Sequence, residues 1–90
     1  MSYTAIYARN KYSELCQSRK GFFYVRVERF YEDLRSWGKW LPVVEIERNE
    51  LGHVVAKISD KDVFVYTVIE KKTVSFRFPK IGGIVNTIPE

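Results

Sequence analysis

The stretch 62–79, DVFVYTVIEKKTVSFRFP, carries the clearest structural signal in this chain. It consists of two runs of β-branched and aromatic residues joined by EKK at 70–72, a pattern typical of an antiparallel hairpin. The first run has apolar residues on both of its alternating faces, which predicts a central strand covered on both sides. The second run is apolar on one face only, which predicts a sheet face open to water or to a ligand.

Two further strands are predicted immediately before this hairpin. The segments 43–48 (VVEIER) and 53–59 (HVVAKIS) are rich in β-branched residues, and the link NELG at 49–52 contains the Asn and Gly of hairpin turns. Together with the hairpin, these segments predict an antiparallel meander of four strands.

The stretch 23–41 is predicted to be a helix. Its apolar residues recur at alternating spacings of four and three and form one stripe, with Gly38 and Pro42 as stop signals. The stripe consists of Phe23, Val27, Phe30, Leu34, Trp37 and Leu41. The segment 22–29 (FFYVRVER) also alternates with a period of two, so a strand is the competing interpretation of that part.

The N-terminal part is predicted to form a strand and a short helix. The strand covers 3–8 (YTAIYA) and the helix covers 12–19 (YSELCQSR), while 84–90 is expected to be a loosely held tail. The predicted fold class is therefore α+β, in the order β-α-α-β-β-β-β, with the helices packed on one face of the antiparallel sheet.

Length and charge indicate one small basic domain over residues 1–90. The chain is 46% hydrophobic and 29% charged, as expected of a globular protein, and its net charge is +4. A basic chain favours an anionic partner, so RNA or DNA is the predicted partner.

The cysteine count indicates a reducing compartment. Cys16 is the single cysteine of the chain, so no internal disulfide can form. The first residues do not resemble a signal peptide, and no apolar run approaches the roughly 20 residues that span a bilayer. We expect a cytoplasmic protein with no membrane partner.

No metal or cofactor site is predicted. The single histidine, His53, and the single cysteine, Cys16, are far apart in the sequence, and no glycine-rich phosphate loop is present. Cys16 is interpreted as a small core residue and His53 as a surface residue at a hairpin edge. Catalytic residues stay unassigned.

The predicted nucleic-acid-binding residues are Lys57, Arg77, Lys80 and Tyr66. Lys57 and Arg77 lie within predicted strands, where a long cation points to solvent or to a ligand, and Lys80 follows the last strand. If the first two share a sheet face, they form a positive patch for phosphate oxygens, and Tyr66 could stack on a base. The alternative is an ordinary solvated face.

The two tryptophans suggest a second function class. Trp37 belongs to the apolar stripe and is predicted to lie in the core, whereas Trp40 lies off the stripe. Trp40 either caps a sheet edge or mediates an interface. The alternative to nucleic-acid binding is accordingly a non-enzymatic protein-interaction module, with a homodimer formed through Trp40 and an open strand edge.

The arrangement resembles the RelE/ParE toxin superfamily. The resemblance lies in YTAIYARNKYSELCQS at 3–18, as strand and first helix, and in DVFVYTVIEKKTVSFRF at 62–78, as terminal hairpin. It implies RNA binding and, in the RelE branch, cleavage of messenger RNA on the ribosome. Lys57 and Tyr66 match a strand lysine and a hairpin tyrosine of the family, and Lys80 matches a basic residue after the last strand.

The chain also departs from that family's pattern. Val63 stands where an arginine is common, and no tyrosine or histidine follows Phe78. The resemblance is therefore compatible with a ribonuclease or with a diverged, inactive member. A third interpretation is a helix-grip-like domain that binds an apolar ligand, which LRSWGKWLPVVEIE at 34–47 resembles.

Overall fold

The computed structural model describes residues 5–31, 34–59, 61–69, 77–78 and 87–88. The regular structure of these residues is β-strand. The strands are β1 (Ala5–Arg9), β2 (Ser13–Gln17), β3 (Phe23–Tyr31), β4 (Leu34–Trp37), β5 (Leu41–Pro42), β6 (Glu45–Arg48), β7 (Val54–Lys57), β8 (Asp62–Val65) and β9 (Thr67–Val68).

The first sheet is built around the long strand β3. Its strand order is β4-β3-β2-β1-β9, and β5 also pairs with β3. All of these pairings are antiparallel. Between β4 and β5 the Gly38 amide donates to the Val27 carbonyl at 2.8 Å, and a Cβ at Gly38 would lie 3.0 Å from that oxygen. Glycine therefore allows the chain to run back closely along β3.

The second sheet is the meander β6-β7-β8. The turn between β6 and β7 is capped by Asn49, whose Oδ1 accepts hydrogen bonds from the amides of Leu51 at 3.0 Å and His53 at 2.9 Å. Gly52 follows with φ +81°, a conformation that glycine adopts without steric cost. The predicted hairpin at this link is confirmed, as is the predicted strand near the N-terminus, which is β1.

The core lies between the inner faces of the two sheets. Its largest rings are Tyr7 and Phe23, which meet edge to face with centroids 5.2 Å apart. The buried Tyr7 hydroxyl accepts a hydrogen bond from Arg48. The buried core residues are Tyr7, Ala8, Leu15, Phe23, Val25, Val43, Val54, Ala56, Val63 and Val65. Both sheets contribute to this cluster, so each sheet buries its apolar face against the other.

The predicted helix over 23–41 is wrong. Residues of this stretch form β3, β4 and β5, and the strand interpretation of 22–29 is the right one for β3. In β3 the side chains of Phe23 and Val25 are fully buried in the core, as a period of two requires. Tyr24 lies on the opposite face and is buried in a second cluster. Because both faces of β3 contain apolar residues, spacings of three and four also occur among them and resemble the stripe of a helix.

The predicted helix over 12–19 is also wrong, and with it the α+β class. Residues 13–17 form β2, which pairs with β1 on one side and β3 on the other. A strand between two neighbours forms backbone hydrogen bonds on both of its sides, and this outweighs the helix propensity of Glu14 and Leu15. The described residues are all-β, with no helix packed on either sheet.

The stretch 62–79 differs from the predicted hairpin in its first run. In β8, Val63 and Val65 are buried while Phe64 is exposed, so the strand is covered on one side only. After Tyr66 the chain leaves the second sheet, and β9 pairs with β1 of the first. The link 70–72 lies outside the described residues, as does most of the second run.

Two parts of the C-terminal segment are described. Arg77 forms a parallel bridge with Phe22, and Phe78 packs on the core with its ring 6.3 Å from that of Phe23. Of the predicted tail at 84–90, residues 87–88 are described, and Ile88 is buried in the cluster that contains Cys16 and Tyr24.

The loop between β1 and β2 joins the two sheets. Asn10 Oδ1 accepts from the amides of Tyr12 at 2.7 Å and Ser13 at 2.8 Å, which closes the loop. Asn10 Nδ2 and the Ser13 hydroxyl both donate to the carbonyl of Phe64, at 2.9 Å and 2.5 Å. Asn10 in the loop and Ser13 in β2 thus both donate to one backbone oxygen of the second sheet.

We expect Asn10→Asp to destabilise the protein more than Asn49→Asp. Both changes keep an oxygen that caps a turn, but only the change at Asn10 removes the donor to the Phe64 carbonyl and places a carboxylate there. The free energy of unfolding should fall by about 1–3 kcal/mol for Asn10→Asp relative to the Asn49→Asp control. Urea denaturation followed by tryptophan fluorescence measures the difference, and equal effects of the two variants would contradict the assigned role.

Candidate nucleic-acid interface

The second sheet turns one face to solvent, and the strand register determines which side chains share it. Residues directly opposite each other in antiparallel strands lie on the same face. The pairings Glu45↔Lys57↔Asp62 and Glu47↔Val55↔Phe64 form two rows across β6, β7 and β8. We call this the outer face, and it consists of Glu45, Glu47, His53, Val55, Lys57, Asp62, Phe64 and Tyr66.

One end of the outer face is acidic. The Lys57 ammonium lies 2.8 Å from Glu47 Oε1, between the register neighbours Glu45 and Asp62. The hydrogen bond to Glu47 is the main cause that raises the pKa of Lys57, and the nearby carboxylates Glu45 and Asp62 raise it further. Three carboxylates around one ammonium give this end a charge of −2. We call these four residues the acidic row; Glu47 reaches Lys57 from the neighbouring row, which it shares with Phe64.

The other end of the outer face is aromatic. Phe64 and Tyr66 are 57% and 46% exposed, and their rings stack with centroids 6.1 Å apart and planes inclined by 22°. The His53 ring meets Tyr66 edge to face at 5.7 Å. We call these three residues the aromatic strip. Exposed aromatic rings that touch one another form a surface suited to a ligand with flat faces.

Basic residues flank Asn10, whose side chain reaches the backbone of β8. Asn10 binds the Phe64 carbonyl, which places the β1–β2 loop against β8. Arg9 pairs with Thr67, next to Tyr66, and both Arg9 and Lys11 are exposed. The Lys11 ammonium lies 5.6 Å from the ring centroid of Tyr12, which is itself exposed. We call Arg9, Lys11 and Tyr12 the basic loop.

The structure brings two of the four sequence-predicted residues to one face and separates a third. Lys57 and Tyr66 both lie on the outer face, Lys57 in the acidic row and Tyr66 in the aromatic strip. Arg77 lies elsewhere, where its Nη1 donates to the carbonyl of Lys20 at 3.3 Å beside the β2–β3 turn. Lys80 lies outside the described residues. The expected patch of Lys57 with Arg77 is therefore not formed by these contacts.

Sequence reasoning missed Phe64 and the basic loop as parts of a surface. The alternation in 62–68 places Phe64 and Tyr66 on one face, and this signal is present in the sequence. Because both faces of this run are apolar, the sequence predicts a strand covered on both sides, and the exposure of Phe64 differs from that prediction. The contact of Asn10 with Phe64 spans 54 residues and has no local signal.

Trp37 and Trp40 hold an arginine on the first sheet. The Arg26 guanidinium lies 4.5 Å from the Trp37 ring centroid and 4.7 Å from that of Trp40. Arg26 Nε also donates to Glu14 Oε1 at 2.6 Å. Trp37, predicted to lie in the core, is 40% exposed, and Trp40 packs partly buried against the second cluster. The Arg26 guanidinium is therefore engaged in contacts with Trp37, Trp40 and Glu14 inside this protein.

A cysteine–histidine pair is excluded by position. Cys16 is buried beside Tyr24 and Ile88, whereas His53 lies on the outer face of the other sheet. Within the described ranges no three His, Cys, Asp or Glu side chains are grouped to hold a metal ion. The same residues contain no helix that is long and apolar enough to cross a membrane.

We expect the Cys16 thiol to be unreactive in the folded protein. Burial, with the nearby Glu14 carboxylate, raises the pKa of Cys16 from 9.0 to about 12 despite the opposing effect of Arg26. At pH 8, a chromogenic disulfide reagent should label Cys16 slowly in the native protein and rapidly in guanidinium. Because the folded pKa is raised, the neutral thiol stabilises the fold below pH 9, and this contribution is lost toward pH 12. Fast labelling of native protein would contradict its burial.

Comparison with known proteins found no match. No family model matches the chain, and neither a curated protein nor a solved structure does so. The function is therefore argued from the geometry of the outer face and its surroundings.

Proposed function

We propose that this protein binds nucleic acid, with bases on the aromatic strip and phosphates at the basic loop. The observation that carries the proposal is the pair of exposed, stacked rings of Phe64 and Tyr66, together with the contact of the Phe64 carbonyl with Asn10, which Arg9 and Lys11 flank. Stacking of bases on aromatic side chains, with cations along the phosphate backbone, is how proteins bind nucleic acid without reading its sequence.

The distribution of charge supports this assignment. The chain has a net charge of +4, and the acidic row accounts for −2, so the rest of the chain carries +6. Such an excess attracts a polyanion over long range and favours its encounter with the surface away from the acidic row. The phosphate contacts are accordingly assigned to Arg9 and Lys11 rather than to Lys57, which Glu47 neutralises.

The proposal is one of binding, without a catalytic step. The resemblance to the RelE/ParE superfamily rests on a strand followed by two helices, and residues 13–17 and 23–31 are strands. Its strand lysine corresponds to Lys57, whose ammonium is engaged by Glu47. These observations favour a nucleic-acid-binding module over a ribonuclease.

A second candidate function is the binding of a protein. The observation that favours it is the acidic row beside an exposed ring, because three carboxylates and Phe64 suit a cationic peptide segment. A homodimer through Trp40 is less favoured, since Trp40 stacks on Arg26 and packs against the second cluster.

We expect binding of a labelled oligonucleotide to weaken steeply with salt and to depend on the basic loop. Removing two phosphate contacts with Arg9→Gln/Lys11→Gln should reduce the slope of log K against log salt by about 1.4–1.8. The matched control is Arg29→Gln/Lys39→Gln, which removes the same charge at exposed positions of β3 and the β4–β5 link. Fluorescence anisotropy at salt concentrations from about 20 mM to about 300 mM measures the slopes.

Two outcomes would contradict the proposal. Absence of binding at the lowest salt would remove nucleic acid as the ligand and leave a cationic peptide as the candidate. Equal slopes for the two double variants would show that overall charge, and not the basic loop, provides the attraction.

A further inference from the structure

From the juxtaposition of the aromatic strip with the acidic row, we infer that the ligand is a single strand with unstacked bases and that the outer face rejects a double helix. The inference rests on the proposed function and specifies its substrate class. It depends on two separate features, the presented faces of two rings and the position of three carboxylates.

The Phe64 and Tyr66 rings are 57% and 46% exposed, so each keeps part of its surface open to solvent. Phe64 and Tyr66 are two residues apart on one face, and their centroids are 6.1 Å apart with nearly parallel planes. A base can stack on such a ring only if one of its own faces is uncovered. In a duplex, internal bases are stacked on each other and present only their edges in the grooves. In a single strand, successive bases can be separated and each can take one ring.

The acidic row acts against a duplex independently of the rings. Asp62 lies two residues, about 7 Å, along β8 from Phe64, and Glu47 lies in the row of Phe64 two strands away, at about 10 Å. A duplex resting on the outer face presents two phosphate backbones separated by grooves about 6 and 12 Å wide. One backbone would then face the acidic row when the other reaches the aromatic strip. A single strand avoids this repulsion because its one backbone can follow the basic loop.

The β1–β2 connection, which contains the basic loop, and the acidic row lie on different sides of β8. Asn10 and Ser13 approach the Phe64 carbonyl from the first sheet, whereas Lys57 pairs with Asp62 from β7. Phosphates therefore have a favourable side and an unfavourable side of the same strand. This asymmetry fits one backbone and disfavours two.

The experiment compares a 12-nucleotide oligo(dT), an oligo(U) of the same length and a 12-base-pair duplex, using the whole chain and fluorescence anisotropy at one low salt concentration. We expect both single strands to bind at least about tenfold more tightly than the duplex, since each stacked base contributes about 5- to 150-fold to affinity. The variant Phe64→Leu/Tyr66→Leu keeps apolar side chains and removes the rings. It should weaken single-strand binding about tenfold or more and leave duplex binding unchanged.

A second variant tests the acidic row alone. Glu45→Gln/Asp62→Asn leaves the Glu47–Lys57 pair in place and makes the row neutral. We expect it to strengthen duplex binding more than single-strand binding, so that the ratio of the two affinities falls. For the ring variant Phe64→Leu/Tyr66→Leu the control is Leu51→Ala, because Leu51 is an exposed apolar side chain in the β6–β7 turn outside the aromatic strip. It should change neither affinity.

The outcomes separate the inference from the proposed function. Equal binding of duplex and single strands, with no effect of Phe64→Leu/Tyr66→Leu, would overturn the inference and leave nucleic-acid binding intact. No binding of any oligonucleotide would overturn both. All changed side chains are exposed, so the variants should keep the native circular dichroism spectrum, and this check excludes unfolding as the cause of a loss.

Discussion

The passage of one continuous run of residues from the second sheet to the first is the constraint on which the structure depends. Val65 is the last residue of β8 and is buried in the core, and two residues later β9 pairs with β1. The hydrogen bonds of Asn10 and Ser13 to the Phe64 carbonyl fasten the chain next to this crossing. Because Val65 must point inward at this place, Phe64 and Tyr66 on either side of it must point outward.

The same constraint explains why the fold could be predicted only in part. The β6–β7 hairpin was predictable because Asn49 and Gly52 determine their turn locally. The stretch 23–41 was not, because β3 has neighbours on both faces: Phe23 and Val25 point to the core, while Tyr24 lies in the second cluster. Apolar residues on both faces destroy the period of two, and the remaining pattern matches a helical stripe equally well.

The candidate site shows a similar division between local and non-local information. The alternation of the sequence places Tyr66 on one face with Phe64, but it does not show that this face is exposed. The environment of Lys57 could not be predicted, since it follows from the register that sets Glu45 and Asp62 opposite it in two other strands. A shift of the register by one residue would change every neighbour of that ammonium. The charge of a sheet face is therefore a property of the pairing, and composition alone does not show that Lys57 lies among carboxylates.

The acidic row also has a physical role that does not depend on any ligand. An open three-stranded sheet with exposed rings at Phe64 and Tyr66 is at risk of pairing with another copy, and charged residues at an edge oppose such pairing. β6 carries Glu45 and Glu47, and β8 begins at Asp62, so both outer strands of the sheet carry negative charge. Carboxylates that oppose association through this sheet would also repel a second phosphate backbone. The proposed preference for a single strand therefore rests on the same side chains that protect the sheet edges.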